Sequence, residues 1–157
     1  MPTLDEYRKL IGYQIKERPV RTYPNAICQW LTDNEAQFQF MISIMFSYKT
    51  TQSHYRSVVR QFMQALSVFR PLAEFSYFVA YENHPVCHIH LFINSHVADD
   101  DLFSFIRAYC ERQFVDAVIK PYYSINGISY ALKSITWDRD FEYDFSPNIF
   151  TVKKPAI

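Results

Sequence analysis

Glycine is nearly absent from this chain: only Gly12 and Gly127 occur in 157 residues. A phosphate-cradling Gly-x-x-x-x-Gly-Lys-Ser/Thr loop is therefore missing, and with it any helicase motor of that type. The glycine-aromatic pattern of common RNA-binding sheets is missing too. The three cysteines, Cys28, Cys87 and Cys110, are odd in number and lack Cys-x-x-Cys spacing. That argues against a disulfide framework and a cysteine-rich zinc site, and makes a reducing cytoplasm the expected home. The longest apolar stretch, Phe38 to Phe46, is too short to span a bilayer, and the first residues lack the charged-then-apolar pattern of a signal peptide. A soluble protein with no membrane partner is expected. Net charge is lacking as well, since 16 basic residues balance 16 acidic ones, whereas a dedicated nucleic-acid binder usually carries a basic excess. The charges are unevenly spread, however. Lys49, Arg56, Arg60 and Arg70 lie in a stretch from Ser47 to Arg70 without a single acid, so this region is a candidate for local phosphate contact, with Lys49, Arg56 and Arg60 as the DNA-binding candidates. A solvated basic face is the plainer reading of the same stretch.

What the chain has in quantity is apolar and aromatic side chains, at 49% and 18%, enough to bury one domain over residues 1–157. Residues 4–16 read as a short helix. Residues through Trp30 and Gln37 are ambiguous, because Pro24 and Thr32-Asp33-Asn34 act as breakers. Phe38 to Tyr48 reads as a buried strand. Thr50 and Thr51 offer a cap for a helix with Tyr55, Val59, Phe62, Leu66 and Phe69 on one stripe, stopped by Pro71. Glu74 to Glu82 and Val86 to Asn94 form a hairpin across Asn83-His84-Pro85. Asp99 to Asp101 open a helix carrying Leu102, Phe105, Ile106, Tyr109 and Cys110, and Val115 to Tyr122 is a further strand. The order β-α-β-β-α-β predicts an α+β fold. It is the split, ferredoxin-like arrangement with a four- to five-stranded antiparallel sheet, helices on one face and the other face open. The core is expected at about 38–136, flanked by a helical extension at 1–36 and an acidic tail at 138–157 whose last dozen residues pack least securely.

Within the third strand lies His88-Ile-His90. Residues i and i+2 share a strand face, so two imidazoles stand side by side while Ile89, Leu91 and Ile93 face the other way. Such a pair can hold a divalent metal; alone, it is equally a pair of ordinary half-exposed histidines. Downstream, Asn126 caps a helix with Ile128, Leu132 and Ile135 on its core stripe. Tyr130 is off that stripe, and Lys133 stands one turn along from it. A phenol beside an ammonium can attack a phosphate and steady its charge. The Tyr-x-x-Lys spacing also occurs at Tyr13 and Lys16, so the spacing alone names nothing.

The apolar strand Phe38 to Phe46, then His88-Ile-His90, then Tyr130-Ala-Leu-Lys133 on a later helix, resembles the HUH endonuclease superfamily, specifically its single-tyrosine rolling-circle replication initiators. The resemblance covers about residues 38–136 and disfavours Tyr13, since the tyrosine helix follows the histidine strand in that family. It implies a metal-dependent enzyme that nicks and rejoins single-stranded or hairpin DNA at a replication origin through a 5′-phosphotyrosine. His88 and His90 would be metal ligands, Tyr130 the nucleophile and Lys133 its phosphate-positioning partner. A third ligand is expected nearby, Glu82 first and His84 second. With a three-residue turn, Glu82 faces Val86 and lies diagonal to His88 on the histidine face. Two imidazoles and a carboxylate suit Mn²⁺ or Mg²⁺. Ala80 and Ser76 on that face are expected to leave room for a DNA backbone, with exposed aromatics stacking on bases. Partners would be the host helicase and polymerase of a prokaryotic cell, with the chain encoded by a plasmid, virus or mobile element. Self-association as a homodimer through the terminal segments is left open. A single-domain tyrosine transposase of the same superfamily and a non-catalytic nucleic-acid-binding module are the alternatives.

Overall fold

The structure is a computed structural model that describes residues 22–46, 51–82, 88–97, 100–122, 128 and 143–153. The helix expected at 4–16 lies outside the described residues. The first described element is helix α1, Thr22–Asp33. Pro24 sits in its first turn, where a missing N–H costs no hydrogen bond, so proline starts this helix rather than breaking it. Ala26, Ile27, Trp30 and Leu31 are buried along one stripe. The helix ends where the Thr32-Asp33-Asn34 cluster marks it. The Ala36 N–H donates to the Leu31 carbonyl (2.9 Å) and the Glu35 N–H to the Thr32 carbonyl (3.0 Å). Glu35 takes the left-handed conformation, φ 57°, that this C-terminal cap requires.

Strand β1, Phe40–Met45, is followed by helix α2, Gln52–Phe69. Thr51 caps α2, its hydroxyl accepting from the His54 N–H at 3.2 Å, and Tyr55, Val59, Phe62 and Leu66 are buried along the helix. Strands β2, Phe75–Glu82, and β3, His88–Ser95, form the hairpin. Helix α3, Asp100–Gln113, carries two aspartates in its first turn and Arg112 in its last, matching the helix dipole at both ends. Strands β4, Asp116–Pro121, and β5, Tyr143–Phe145, complete the described elements.

The fold is α+β, with a five-stranded sheet in the order β4-β1-β3-β2-β5 and antiparallel neighbours throughout. Strand β3 lies between β1 and β2, which α2 connects, so the β-α-β unit is split as expected. Strand parity divides the core in two. Ile42, Ile44, Val79, Tyr81, Ile89, Leu91 and Ile93 pack beneath α2 and α3. Phe78, Ala80 and Phe92 face the other way, against Ala26, Ile27, Trp30 and Leu31 of α1 and against Ile128, Ile149 and Phe150.

Three expectations are corrected here. The second sheet face is not simply open, because α1 and the C-terminal segment cover much of it. The ambiguous stretch through Trp30 is helical, because Pro24 lies in the first turn and the polar cluster lies at the helix end. The buried core therefore extends on both sides of 38–136. Residues 146–152 are firmly packed: the Ser146 N–H donates to the Tyr77 carbonyl (3.0 Å), Asn148 Nδ2 to the Phe75 carbonyl (3.0 Å) and Asn94 Nδ2 to the Val152 carbonyl (2.8 Å). Ile149 and Val152 are buried with them. Finally, the hairpin register is shifted by two positions. Glu82 pairs with His88 and Ala80 with His90, where a three-residue turn would have paired Glu82 with Val86.

Candidate functional site

A two-position shift preserves parity, so His88, His90 and Glu82 remain on one face as the sequence requires. It also improves their placement. Glu82 is directly opposite His88 rather than diagonal to it, and directly opposed residues have Cβ atoms about 5 Å apart. The His88 and His90 rings lie 4.9 Å apart between centroids and nearly perpendicular, at 88°. His90 is buried and His88 half-buried. On the other side of β3, β1 sets Ser43 opposite His90 and Met45 opposite His88.

Ser43 is the site residue that sequence reasoning missed. Its Oγ lies 2.9 Å from His90 Nδ1. When Nδ1 carries the proton, it donates to Ser43 and leaves the lone pair on Nε2, the arrangement in which metal-ligating histidines are held by a second partner. A lone serine within Phe40-Met-Ile-Ser-Ile-Met was the available signal, but its meaning depends on a register that only the folded sheet supplies. The donor set fits a divalent ion: two imidazoles on adjacent same-face positions, one of them oriented by a hydroxyl, and a carboxylate-bearing residue in register. Among the described residues no group of three or more His, Cys, Asp or Glu side chains gathers; the Glu82 side chain, like His84, lies outside the described ones.

Tyr130, Lys133 and Lys49 also lie outside the described residues. Ile128, assigned to the core stripe of the tyrosine helix, is fully buried in the cluster on the histidine face. Arg56 and Arg60 are exposed on α2, which packs over the opposite face. Both guanidiniums act on Tyr77, a member of the helix-face cluster, so the structure separates these two residues from the histidines. The expected room at Ala80 and Ser76 is also absent. Both are fully buried, Ala80 against α1 and the Ser76 end of β2 beneath residues 146–152. Among the described residues the strongly exposed large apolar side chains are Val68, Leu72, Val115 and Val118, so none of them is an aromatic base-stacking platform.

Two described tyrosines belong to the histidine face. Burial pushes the Tyr122 phenol up to about 12. Burial, with the Asp144 carboxylate second, raises Tyr143 still further. Both phenols are thus harder to ionise than an ordinary tyrosine.

No family model and no curated protein matches the sequence. Among solved structures, the chain is similar to the hypothetical protein ORF119 from Sulfolobus islandicus rod-shaped virus 1. The two share 16% identity over 74% of this chain and 97% of that one, with a TM-score of 0.47. No helix among the described residues is long and apolar enough to cross a membrane.

Proposed function

We propose that this protein is a metal-dependent endonuclease and strand transferase that nicks and rejoins single-stranded or hairpin DNA at a replication origin, with Tyr130 as nucleophile. The observation carrying this reading is the His88–His90 pair on one sheet face, with His90 bonded to Ser43 and His88 in register with Glu82. His88, His90 and Glu82 would hold Mn²⁺ or Mg²⁺. Once bound, such an ion supplies charge neutralisation and polarisation at the scissile phosphate. The burial of Ile128 supports Tyr130 in its role, since two residues of chain reach no more than about 7 Å.

In the reaction, the Tyr130 oxygen forms a bond to phosphorus and gives up its proton. The P–O3′ bond breaks, and the departing oxygen takes a proton to become a 3′-hydroxyl. The Lys133 ammonium steadies the charge on the non-bridging oxygens. Attack by a second 3′-hydroxyl reverses the step and rejoins the strand. Unwinding and synthesis fall to a helicase and polymerase of a prokaryotic host. In such a cell the gene would be carried by a plasmid, virus or mobile element.

Incubating the purified protein with origin-like single-stranded and hairpin oligonucleotides and Mn²⁺ tests this. The expected result is a denaturation-resistant protein–DNA adduct that Tyr130→Phe abolishes and chelation prevents. Equal adduct from the phenylalanine variant would overturn the assignment, and DNA binding with no metal-dependent cleavage would mark a binding module instead. Preferential joining of excised element ends would identify a transposase.

A further inference from the structure

Among the described residues, strand β4 is the outermost strand of the sheet, with β1 as its one neighbour. No described strand pairs with its other edge, which is partly apolar: Val115 is 97% exposed and Val118 47%. Unpaired strand edges template pairing with another chain. From the hydrogen bonds and charges along this edge, we propose that it pairs antiparallel with β4 of a second copy, about a two-fold axis through Val118.

Backbone parity comes first. The Tyr122 N–H donates to the Gln39 carbonyl at 2.9 Å, continuing the register in which Phe40 faces Pro121 and Ser43 faces Val118. In an antiparallel ladder, alternate residues point their N–H and C=O to the same neighbour. Lys120, Val118 and Asp116 therefore bond towards β1, whereas Ala117 and Ile119 direct theirs to the open edge. Pro121, which has no N–H to offer, falls in the outward set, where proline is tolerated. A two-fold axis at Val118 matches Ala117 of each copy with Ile119 of the other, giving four N–H···O=C bonds.

Charge selects this register among its neighbours. Centred on Val118, Asp116 of each copy faces Lys120 of the other, and Val118 faces itself on the same side of the sheet. Centring on Ala117 or Ile119 instead sets an aspartate or a lysine against a valine. Charges and proline on an edge normally discourage pairing. Here two opposite charges placed symmetrically about a valine oppose a random strand but complement a second copy of this one. A groove of about 510 Å³ between α3 and β4, lined in part by Phe103, Phe114, Ala117 and Ile119, opens at the same edge and would be covered with it.

The arrangement has a geometric consequence. Val118, Ser43 and His90 occupy one row across the sheet. Pairing through Val118 extends that row into the second copy and puts both histidine pairs on the same face. Five inter-strand spacings separate the two copies of β3, about 24 Å.

Sedimentation of the full chain over a concentration series, with charge-reversed variants, tests the proposal without reference to DNA cleavage. The wild-type chain is expected to be a dimer. Asp116→Lys alone or Lys120→Asp alone should raise its dissociation constant by roughly tenfold or more. An equimolar mixture of the two variants restores complementary pairs and should dimerise, although neither does so alone. Val118→Cys should give an oxidised, disulfide-linked dimer, while Asp116→Cys should not. A wild-type chain that stays monomeric, a mixture no tighter than its components, or equal cross-linking at both cysteines would overturn the pairing. Circular dichroism of each variant confirms that the substitutions leave the fold intact.

Discussion

Strand β3 alternates between two environments. Ile89, Leu91 and Ile93 enter a layer beneath α2 and α3, where described neighbours such as Val79, Ile42 and Phe62 are also apolar and where burial supplies the stability. His88, His90, Phe92 and Asn94 face the other way, into a layer that mixes Phe78 and Trp30 with the buried polar residues Ser76, His90 and Asn94. His90 is bonded to Ser43 and Asn94 Nδ2 to the Val152 carbonyl, and each such bond adds a geometric requirement. The helix side is thus a scaffold that tolerates exchange of similar apolar groups. The histidine side is a place where position matters more than volume.

Neighbouring residues on β3 offer the largest test of that contrast. His90→Ala should reduce adduct formation by at least roughly a hundredfold, with a stability loss of only about 1–2 kcal/mol from the Ser43 hydrogen bond it removes. Leu91→Ala, one residue on and facing the helices, should cost about 2–5 kcal/mol of stability, lowering the midpoint by roughly ten degrees, yet keep activity below its melting temperature. Calorimetry and the adduct assay measure both, and the opposite pattern would break the comparison.

A smaller effect is expected from Ser43→Ala. Removing the hydroxyl frees the His90 ring to turn, which should weaken Mn²⁺ binding about tenfold with a stability change of about 1 kcal/mol, read by calorimetric titration and urea denaturation. An affinity equal to wild type would leave Ser43 with only a packing role.

The smallest effect concerns alkaline pH. Tyr122 has an ordinary value of 10.0, raised in the fold to about 12. A raised value means that the native state holds its proton longer than the unfolded state, so the stabilisation is complete below pH 10 and is lost as pH rises through about 12. Urea midpoints between pH 8 and 11 should fall, and should fall less steeply in Tyr122→Phe. On the helix side, burial pushes the Cys110 thiol from 9.0 up to about 12, so the same pH range sharpens the comparison: Cys110 should resist alkylation at pH 9 until the protein is unfolded.

Much of this fold was legible because its strands are rich in β-branched and aromatic residues and its two central helices carry clear apolar stripes. Parity was legible too, and it alone put His88, His90 and Glu82 on a common face. The hairpin length was not. Asn83-His84-Pro85 reads as a complete turn, and nothing local reveals that Glu82 pairs with His88 rather than Val86. The covering of the histidine face by α1 was hidden by Pro24, whose effect reverses between the first turn and the interior of a helix. The packed tail was hidden because Ile149, Phe150 and Val152 are separated by turn residues and show neither strand nor helix periodicity. Ser43 and the separation of Arg56 and Arg60 from the site depend on which strands and helices meet, a property of topology rather than of any segment.

The three-residue strand β5 gives the sheet unequal ends. It covers β2 from Phe78 to Ala80, and the turn after it bonds the Tyr77 and Phe75 carbonyls, so that border offers too short a ladder to recruit another chain. A sheet with one receptive border and one blunted border stops growing after a single addition. Closed assemblies stay soluble where head-to-tail ones become fibres. A short C-terminal strand would thereby protect an aromatic-rich chain from filament formation.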